Sequence, residues 1–452
     1  MARAGIDAIV DEGLGNSSYL VDLGDGRALA LDPSRHPGGY LARAEQRGLT
    51  IAYTVETHLH ADFVSGSREL AALGAQVVAP SAAGLEYPAR GLDHGDEIDL
   101  GGLTLRALAT PGHTPEHLSY LLLDGTEPAA LFSGGSLLVG AVARTDLIDP
   151  NQTEPLAREL WRSLRTTVLT LPDDLAVYPT HGAGSFCSAP AGGERVTTIG
   201  REKASNPLLA AADEDAFVKL LLEGLGSYPP YFLRLRDVNR RGPHVYGPGP
   251  AHLPLLDVAS VDTLVRDGAW IIDARAIERF AADHIAGSIS IALRDVFATW
   301  LGWLVPDDVP LVFVVDDDQD DDLLVREARK VGYERIAGAL AGGIDAWRAA
   351  GRPLARTGLV DAASATGPFV DVRQHSEFAA GHIPEARHAE LGAIASGAIA
   401  VPSGSVVMCG HGERAMSAAS MLERHQHDAN VRVLVGGPDE WAAGHGTSLV
   451  RA

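Results

Sequence analysis

Cysteine and methionine are scarce in this chain of 452 residues, which contains two cysteines and four methionines. Two cysteines, Cys187 and Cys409, are too few for the disulfide framework of a small secreted protein, and they favour a reducing compartment. No stretch approaches the roughly 20 consecutive apolar residues of a membrane span, and the first residues lack the apolar core of a signal peptide. The sequence therefore predicts a cytoplasmic protein without a membrane partner.

Basic residues are also few, because 37 Lys and Arg face 59 Asp and Glu and give a formal net charge of -22. This balance disfavours nucleic acid as a partner, and it requires that local donors attract any anionic substrate. A composition of 46% hydrophobic and 21% charged residues is ordinary for globular protein. The length predicts about three domains, and a homo-oligomer remains open.

Histidines cluster after short apolar segments in the first half of the chain. The segment Glu56-Thr57-His58-Leu59-His60-Ala61-Asp62-Phe63 follows the apolar run 51–55, which predicts a buried strand. His113 in T-P-G-H-T and His181 in T-H-G-A-G stand after later apolar runs. Imidazole and carboxylate groups on strand-end loops suit zinc or iron(II) better than calcium, so this pattern predicts a metal site.

The order H-x-H-x-D, P-G-H-T and T-H-G-A-G resembles the metallo-β-lactamase fold, in its glyoxalase II and persulfide dioxygenase branch, over residues 1–245. This resemblance implies an αββα sandwich with a metal held by His58, His60 and His113. Asp62 and His181 would bind a second metal in an intact relative. In this chain they are candidates for either a metal ligand or a support of the loop.

Two positions depart from the pattern usual in that branch. Phe63 stands where a histidine is usual, and Gly135, in Phe132-Ser133-Gly134-Gly135, stands where an aspartate is usual. Neither side chain can bind a metal. We therefore predict at most one Fe(II) or Zn(II) per chain rather than a binuclear centre.

The second half of the chain repeats itself after a segment rich in proline and glycine, residues 226–250, whose end predicts a linker. The run Asp273-Ala274-Arg275 returns as Asp371-Val372-Arg373, and each copy ends in a G-G-x-x-x-W motif. These motifs resemble the rhodanese family. They predict two α/β domains with parallel sheets, over 251–356 and 357–452.

A reactive loop occurs in the second copy alone, as Cys409-Gly410-His411-Gly412-Glu413-Arg414 after the apolar run Val406-Val407-Met408. A cysteine between a strand and a helix start receives backbone N–H groups and the positive end of the helix, which favours its thiolate. The loop resembles the six-residue active loop of sulfurtransferase rhodaneses. That resemblance implies a persulfide on Cys409 and a catalytic role for Arg414.

Two other segments contain residues that bear on function. In the first copy, the acidic run 316–322 replaces the cysteine loop, and it predicts a solvated loop on an inactive domain. Cys187 lies six residues after His181, close to the predicted metal pocket. It is a secondary candidate for sulfur chemistry, and a packed, unreactive thiol is an equal alternative.

The sequence thus predicts an α/β protein, and the two family resemblances imply persulfide and sulfide metabolism, in which a sulfurtransferase is joined to a persulfide-dioxygenase-like metal domain. The expected partner is a small thiol persulfide or another donor of sulfane sulfur. Two alternatives stay open. One is thioester hydrolysis of the glyoxalase II type, and the other is a non-enzymatic sulfur carrier or sensor with a degenerate metal domain.

Overall fold

The structure is a computed structural model, and it describes residues 5–187, 193–426 and 430–451. The chain divides into two compact units. The first contains Met1–Pro250 with Arg329–Gly332, and the second contains Ala251–Ala328 with Tyr333–Ala452. In the described part of the chain, no helix is both long and apolar enough to cross a lipid bilayer.

The first unit contains two six-stranded sheets, in the orders β1-β2-β3-β4-β5-β6 and β12-β11-β10-β9-β8-β7. From β3 to β6 the strands are parallel, and from β7 to β10 they are antiparallel. The described strands are β1 (Ile6–Asp11), β2 (Asn16–Asp22), β3 (Arg27–Leu31), β4 (Thr50–Val55), β5 (Gln76–Pro80), β6 (Arg90–Leu92), β7 (Glu97–Asp99), β8 (Leu103–Ala109), β9 (Leu118–Asp124), β10 (Glu127–Gly134), β11 (Ala176–Pro179) and β12 (Thr197–Thr198).

Helices cover both outer faces of this sandwich. They are α1 (Gly38–Gln46), α2 (Ser67–Ala72), α3 (Thr153–Thr166), α4 (Ile199–Ser205), α5 (Glu214–Glu223) and α6 (Phe232–Arg241). One apolar core joins the facing sheets, α1 and α2 pack on the first sheet, and α3 and α5 pack on the second. The predicted αββα order follows from these layers, because each sheet buries both of its faces.

The helix α6 corrects one sequence expectation, which excluded helix from the proline- and glycine-rich stretch 226–250. Residues 232–241 contain neither proline nor glycine, so a helix forms between the two clusters. Asn239 of α6 donates to the carbonyls of His60 and Phe63 at 2.8 and 2.9 Å, and it accepts from the N–H of Ser65 at 2.8 Å. This helix therefore supports the loop after β4.

The second unit contains two five-stranded sheets, one from each copy of the repeat, in the orders β13-β18-β17-β14-β16 and β20-β24-β23-β21-β22. All strand pairs within these two sheets are parallel. The described strands are β13 (Leu255–Leu256), β14 (Trp270–Asp273), β15 (His284–Ile285), β16 (Ile289–Ser290), β17 (Leu311–Val314), β18 (Ile336–Leu340), β19 (Leu354–Ala355), β20 (Gly358–Asp361), β21 (Phe369–Asp371), β22 (Arg387–His388), β23 (Val406–Met408) and β24 (Arg432–Val435).

The helices assigned to the rest of the chain are α7 (Val258–Arg266), α8 (Ile277–Ala282), α9 (Phe297–Leu304), α10 (Asp321–Lys330), α11 (Gly343–Ala349), α12 (His375–Ala380), α13 (Leu391–Ala395), α14 (Glu413–His425) and α15 (Pro438–His445). In each D-x-R motif the arginine side chain donates to both carboxylate oxygens of the aspartate, for example Arg373 Nη2 to Asp371 Oδ2 at 2.6 Å. The acidic run 316–322 is only partly a loop. Asp320 caps the start of α10 by accepting from the N–H groups of Asp322 and Leu323.

Candidate functional site

Four histidines converge at one edge of the N-terminal sandwich, where strands of both sheets end. His58 and His60 follow β4, His113 follows β8, and His181 follows β11. All four side chains are buried. The ring centroid of His58 lies 4.2 Å from that of His60, 4.8 Å from that of His113 and 5.5 Å from that of His181. The structure thus places the four predicted histidines around one pocket.

Hydrogen bonds determine which nitrogen of His58 carries the proton. Thr57 Oγ1 donates to Asp32 Oδ2 at 2.7 Å, so it must accept from His58 Nδ1, which lies 2.8 Å away. The Nε2 atom of His58 therefore keeps its lone pair, and it is buried with no hydrogen-bond partner among the described residues. Burial, followed by the neighbouring histidines, lowers the pKa of His58 well below its ordinary value. A neutral imidazole with a free lone pair is the form that binds metals.

A backbone carbonyl orients His113. Its Nδ1–H donates to the carbonyl oxygen of Arg144 at 2.7 Å, since a carbonyl can only accept. Burial lowers the pKa of His113 well below its ordinary value, so this ring is also neutral. Metal-binding histidines usually donate their other N–H to a carbonyl or a carboxylate in this way.

Two buried carboxylates hold His60. Its Nε2 lies 3.0 Å from Glu56 Oε2 and 3.2 Å from Asp32 Oδ1. Burial lowers the pKa of His60, but these two carboxylates outweigh burial and raise it to about 10. In this state the ring is an imidazolium. The Nδ1 atom has no hydrogen-bond partner in the described part of the chain, and a cation that binds there would displace the Nδ1 proton.

Asp62 and His181 form a second buried pair. Asp62 Oδ2 lies 3.2 Å from His181 Nδ1 and accepts from Asn16 Nδ2 at 2.8 Å. Burial raises the pKa of Asp62, but the nearby histidines outweigh burial and hold that pKa below its ordinary value. The other atom of each group, Asp62 Oδ1 and His181 Nε2, is buried without a hydrogen-bond partner among the described residues.

Aromatic rings occupy the space at the two positions that depart from the expected motif. Phe63 is buried and stacks on His60 with ring centroids 4.3 Å apart. A Cβ atom built on Gly135 would lie 2.4 Å from Cδ2 of His113. The His113 ring therefore occupies the space that a side chain at position 135 would need.

Sequence reasoning missed His117, a fifth histidine beside this pocket. Its Nε2 accepts from the N–H of Gly135 at 2.9 Å, so its Nδ1 carries the proton and donates to Thr110 Oγ1 at 2.8 Å. Burial lowers the pKa of His117 to about 3. The available signal was its place directly before the apolar run of β9, four residues after His113. Its role here is to anchor the Gly135 backbone.

Cys187 is fully buried at the same pocket. Its carbonyl accepts from the N–H of Arg144 at 2.9 Å, and its own N–H donates to Ser185 Oγ at 3.2 Å. Burial, and then the negative charge of Asp62, raises the pKa of the Cys187 thiol well above its ordinary value. Without a cation in the pocket, this thiol is therefore protonated.

The donor atoms of the pocket fit a cation. In the part of the chain that the structure describes, three groups have their ligand atoms within 4.8 Å of one another: His58, His60 and His181; His113, His181 and Cys187; and Asp32, Glu56 and His60. Several of these atoms are buried without a hydrogen bond, and a bound cation would satisfy them. The predicted set of His58, His60 and His113 is not itself one of these groups, since His113 belongs to a different group from His58 and His60. His181 takes part in two of the three groups.

Cys409 lies between β23 and α14, in the second copy of the repeat. Its side chain is 1% exposed, and Sγ accepts from the N–H of Gly412 at 3.1 Å. Gly412 has φ +122°, and a Cβ atom built on it would lie 2.9 Å from Ile277 Cδ1. The tight turn at Gly412 therefore aims a backbone N–H at the sulfur. Such a turn is available to glycine and costly for other residues.

Arg414, the cation of the predicted reactive loop, is paired with a carboxylate of α12. Its guanidinium donates to both carboxylate oxygens of Glu377, at 2.6 and 2.8 Å, and it lies 5.8 Å from the ring centroid of Trp300. Burial raises the pKa of Glu377, but Arg414 outweighs burial and holds it below its ordinary value. The charge of Arg414 is thus largely compensated. In the same loop His411 is exposed, whereas Gly410 and Glu413 are partly buried.

Comparison with known proteins follows the same division of the chain. Residues 11–181 match the model of the metallo-beta-lactamase superfamily, and residues 257–350 and 357–444 match that of the rhodanese-like domain. The chain is 32% identical over 179 residues to "Persulfide dioxygenase ETHE1, mitochondrial" of Homo sapiens, across 39% of this chain and 63% of that protein. It is 31% identical over 210 residues to the Bos taurus protein of the same name, across 45% of this chain and 76% of that protein.

The chain belongs to the metallo-beta-lactamase superfamily. Its second half consists of two rhodanese-like domains, and both parts of the predicted family resemblance are confirmed, as is the α/β fold class. A crystal structure of a metallo-beta-lactamase from Staphylococcus aureus subsp. aureus COL is similar to this fusion at 29% identity and a TM-score of 0.67. The match covers 75% of this chain and 99% of that one, so the likeness includes both halves.

The two rhodanese-like domains of this fusion differ at the position of the reactive loop. After β23 the second domain presents Cys409, and after β17 the first domain presents Asp316, whose Oδ1 lies 2.8 Å from Arg279 Nη1. The strand register pairs Met408 with Asp371 and Val314 with Asp273, so Val315 stands where the second domain has Cys409, and the first domain has no thiol at that position. The two rhodanese-like domains contact each other at Trp303 of the first domain, whose Nε1 lies close to Gly392 in α13 of the second.

Proposed function

We propose that this chain transfers sulfane sulfur at Cys409, and that its N-terminal domain binds one Fe(II) or Zn(II) ion beside which a thiol persulfide binds or is oxidised. The matches to the metallo-beta-lactamase superfamily and to rhodanese-like domains support a role in sulfur metabolism. The observation that carries the finer proposal is the position of Cys409, at the end of β23 and the start of α14, with Sγ receiving the Gly412 N–H at 3.1 Å. We infer domain limits of 1–245, 251–356 and 357–452.

The transfer has two steps at one atom. The Cys409 thiolate attacks the outer sulfur of a persulfide R–S–SH, which forms a Cys409–S–SH persulfide and releases the donor thiolate RS⁻. A nucleophile such as cyanide or a second thiol then removes that sulfur and restores the Cys409 thiolate. The Gly412 N–H stabilises negative charge on Sγ, and the positive end of α14 adds to this effect.

The N-terminal domain would hold its ion through the imidazoles of His58, His60, His113 and His181. A ferrous ion would supply oxygen chemistry when bound, whereas zinc would supply Lewis acidity only. Asp32 and Glu56 position His60, and the Arg144 carbonyl positions His113. The burial of these residues excludes water from the pocket, which strengthens their electrostatic interactions.

Thioester hydrolysis has less support. A binuclear hydrolase site needs ligands at the positions of Phe63 and Gly135, and here Phe63 stacks on His60 while Gly135 has no side chain. A non-enzymatic carrier would keep Cys409 but bind no metal in its first domain. Metal content therefore separates the carrier from the enzyme.

Sulfur transfer to cyanide and to a small thiol tests the proposal, with Cys409→Ser and Cys187→Ser measured side by side. We expect Cys409→Ser to abolish transfer and Cys187→Ser to keep most of it. Protein purified without oxygen should contain at most one Fe or Zn per chain. Oxygen uptake in the presence of a low-molecular-weight persulfide then measures persulfide oxidation by the metal domain alone. Full transfer by Cys409→Ser would refute the assignment.

A further inference from the structure

The pocket of the N-terminal domain lacks a carboxylate from the loop after β10. Gly135 occupies that position, and the His113 ring fills the space beside it. An ion held by imidazoles alone keeps its full positive charge in a buried environment, which is unfavourable, and the nearby carboxylates of Asp62, Asp32 and Glu56 already pair with His181 and His60. A second source of negative charge would stabilise it. The nearest thiol in the described part of the chain is that of Cys187.

Cys187 lies within ligand distance of two of the histidines. The ligand atoms of His113, His181 and Cys187 are all within 4.8 Å of one another, and all three residues are buried. An ion with bonds of about 2.0–2.3 Å to nitrogen and sulfur spans such a group after small side-chain shifts. His181 Nε2 is buried without a hydrogen-bond partner among the described residues, so an unsatisfied donor atom already belongs to this group.

One residue fixes both His113 and Cys187. The Arg144 carbonyl accepts from His113 Nδ1 at 2.7 Å, and the Arg144 N–H donates to the Cys187 carbonyl at 2.9 Å. The Arg144 side chain also donates to the carbonyl of Phe186 at 2.9 Å, and Asp146 holds its guanidinium at 2.7 and 2.8 Å. The cysteine is thus placed at the pocket by the same element that orients a predicted ligand.

We propose that Cys187 is a metal ligand, which supplies as a thiolate the negative charge that a carboxylate at position 135 would otherwise provide. This inference rests on the proposed metal binding of the N-terminal domain. When the metal–sulfur bond forms, the S–H bond breaks and its proton leaves to solvent. Thiolate with imidazole suits Zn(II), Co(II) and Fe(II), and disfavours Mg(II) and Ca(II). Cys187 would then not be the sulfur carrier.

Cobalt(II) provides a readout that is independent of activity. The metal-free protein is titrated with Co(II), and sulfur-to-cobalt charge-transfer absorption in the near ultraviolet is recorded. We expect this absorption in the wild-type protein and in Cys409→Ser, the matched control because it removes the other cysteine. Cys187→Ser should lose the absorption and bind Co(II) at least about tenfold more weakly.

The outcomes separate this inference from the proposed function. Co(II) binding at the histidines without charge-transfer absorption would overturn the role of Cys187 and leave the metal domain intact. No Co(II) binding by the wild-type protein would overturn both the metal domain and this inference, while sulfur transfer at Cys409 would stand. If Cys187→Ser does not fold, the wild-type spectrum and its persistence in Cys409→Ser still decide the question.

A rescue experiment adds a second test. If both positions supply the anionic ligand, Gly135→Asp in the Cys187→Ser background should recover Co(II) affinity relative to Gly135→Ala in the same background. The alanine variant has the same added Cβ and no carboxylate. Equal affinities in these two double variants would contradict the inference that Cys187 replaces the missing carboxylate.

Discussion

Replacing Gly135 by Asp tests the site most sharply, because it adds a carboxylate to the loop after β10, which contributes none to this pocket. The structure predicts that this substitution lowers the stability of the fold. A Cβ at this position would lie 2.4 Å from Cδ2 of His113 and 3.2 Å from Cβ of Ala143. Carbon atoms normally approach to about 3.5 Å, so the His113 ring must move by about 1 Å. Gly135 does not have the left-handed φ that Gly134 has (φ +55°), so the backbone itself accepts a side chain.

The loss of stability can be calculated from the contacts that His113 loses. Crowding a packed core costs about 1–3 kcal/mol, and weakening the 2.7 Å bond from His113 Nδ1 to the Arg144 carbonyl costs about 1 kcal/mol more. We therefore expect both Gly135→Asp and Gly135→Ala to unfold at lower temperature, by on the order of 10 °C. Thermal unfolding of the metal-free proteins measures this shared cost.

The difference in metal affinity between the two variants then measures the contribution of the carboxylate, because both variants crowd His113 in the same way. A four-ligand structural zinc site is worth about 10–16 kcal/mol, or about 3 kcal/mol per ligand, so in the Cys187→Ser background Gly135→Asp should bind metal about 100-fold more tightly than Gly135→Ala. Isothermal titration measures the ratio. Equal affinities for the two variants, or an unchanged melting temperature for Gly135→Ala, would show that position 135 does not face this pocket.

Three further predictions concern other contacts. Single changes of His58, His60 or His113 to Ala should each lower metal affinity at least about tenfold, and elemental analysis that finds two ions per wild-type chain would contradict the single site. Arg414→Ala should slow sulfur transfer without abolishing it. Glu377→Gln should lower the KM for an anionic sulfur donor, because it removes the carboxylate that compensates the charge of Arg414. An unchanged KM would show that Arg414 does not contact the donor. Gly392→Ala should lower the melting temperature because its Cβ would clash with Trp303 Nε1, at a cost of about 1–3 kcal/mol. Gly39→Ala, in α1 with open space around it, is the control and should not lower it.

The parts of this molecule that could be predicted from sequence are those encoded by local patterns. An apolar run followed by H-x-H-x-D predicted β4 and the loop after it, because a strand end fixes where the next side chains point. The run Val406-Val407-Met408 before Cys409 predicted β23 for the same reason. The α/β class followed from alternating elements and from a repeat that appears twice.

What the sequence did not reveal are contacts between residues far apart in the chain. The Gly135 N–H bond to His117, the Arg144 link between His113 and Cys187, and the Glu377 clamp on Arg414 each join separate loops. Nothing in the residue types fixes such partners. The helix α6 was missed for a different reason, since the glycine and proline clusters on both sides obscured ten residues that favour helix.

The central claim is that Cys409 carries the sulfur. Intact-protein mass spectrometry after incubation with a sulfane-sulfur donor, followed by removal of excess donor, tests it directly. We predict that the wild-type protein and Cys187→Ser each gain the mass of one sulfur atom, that cyanide removes it, and that Cys409→Ser gains none. A sulfur adduct that persists in Cys409→Ser and disappears in Cys187→Ser would contradict this account.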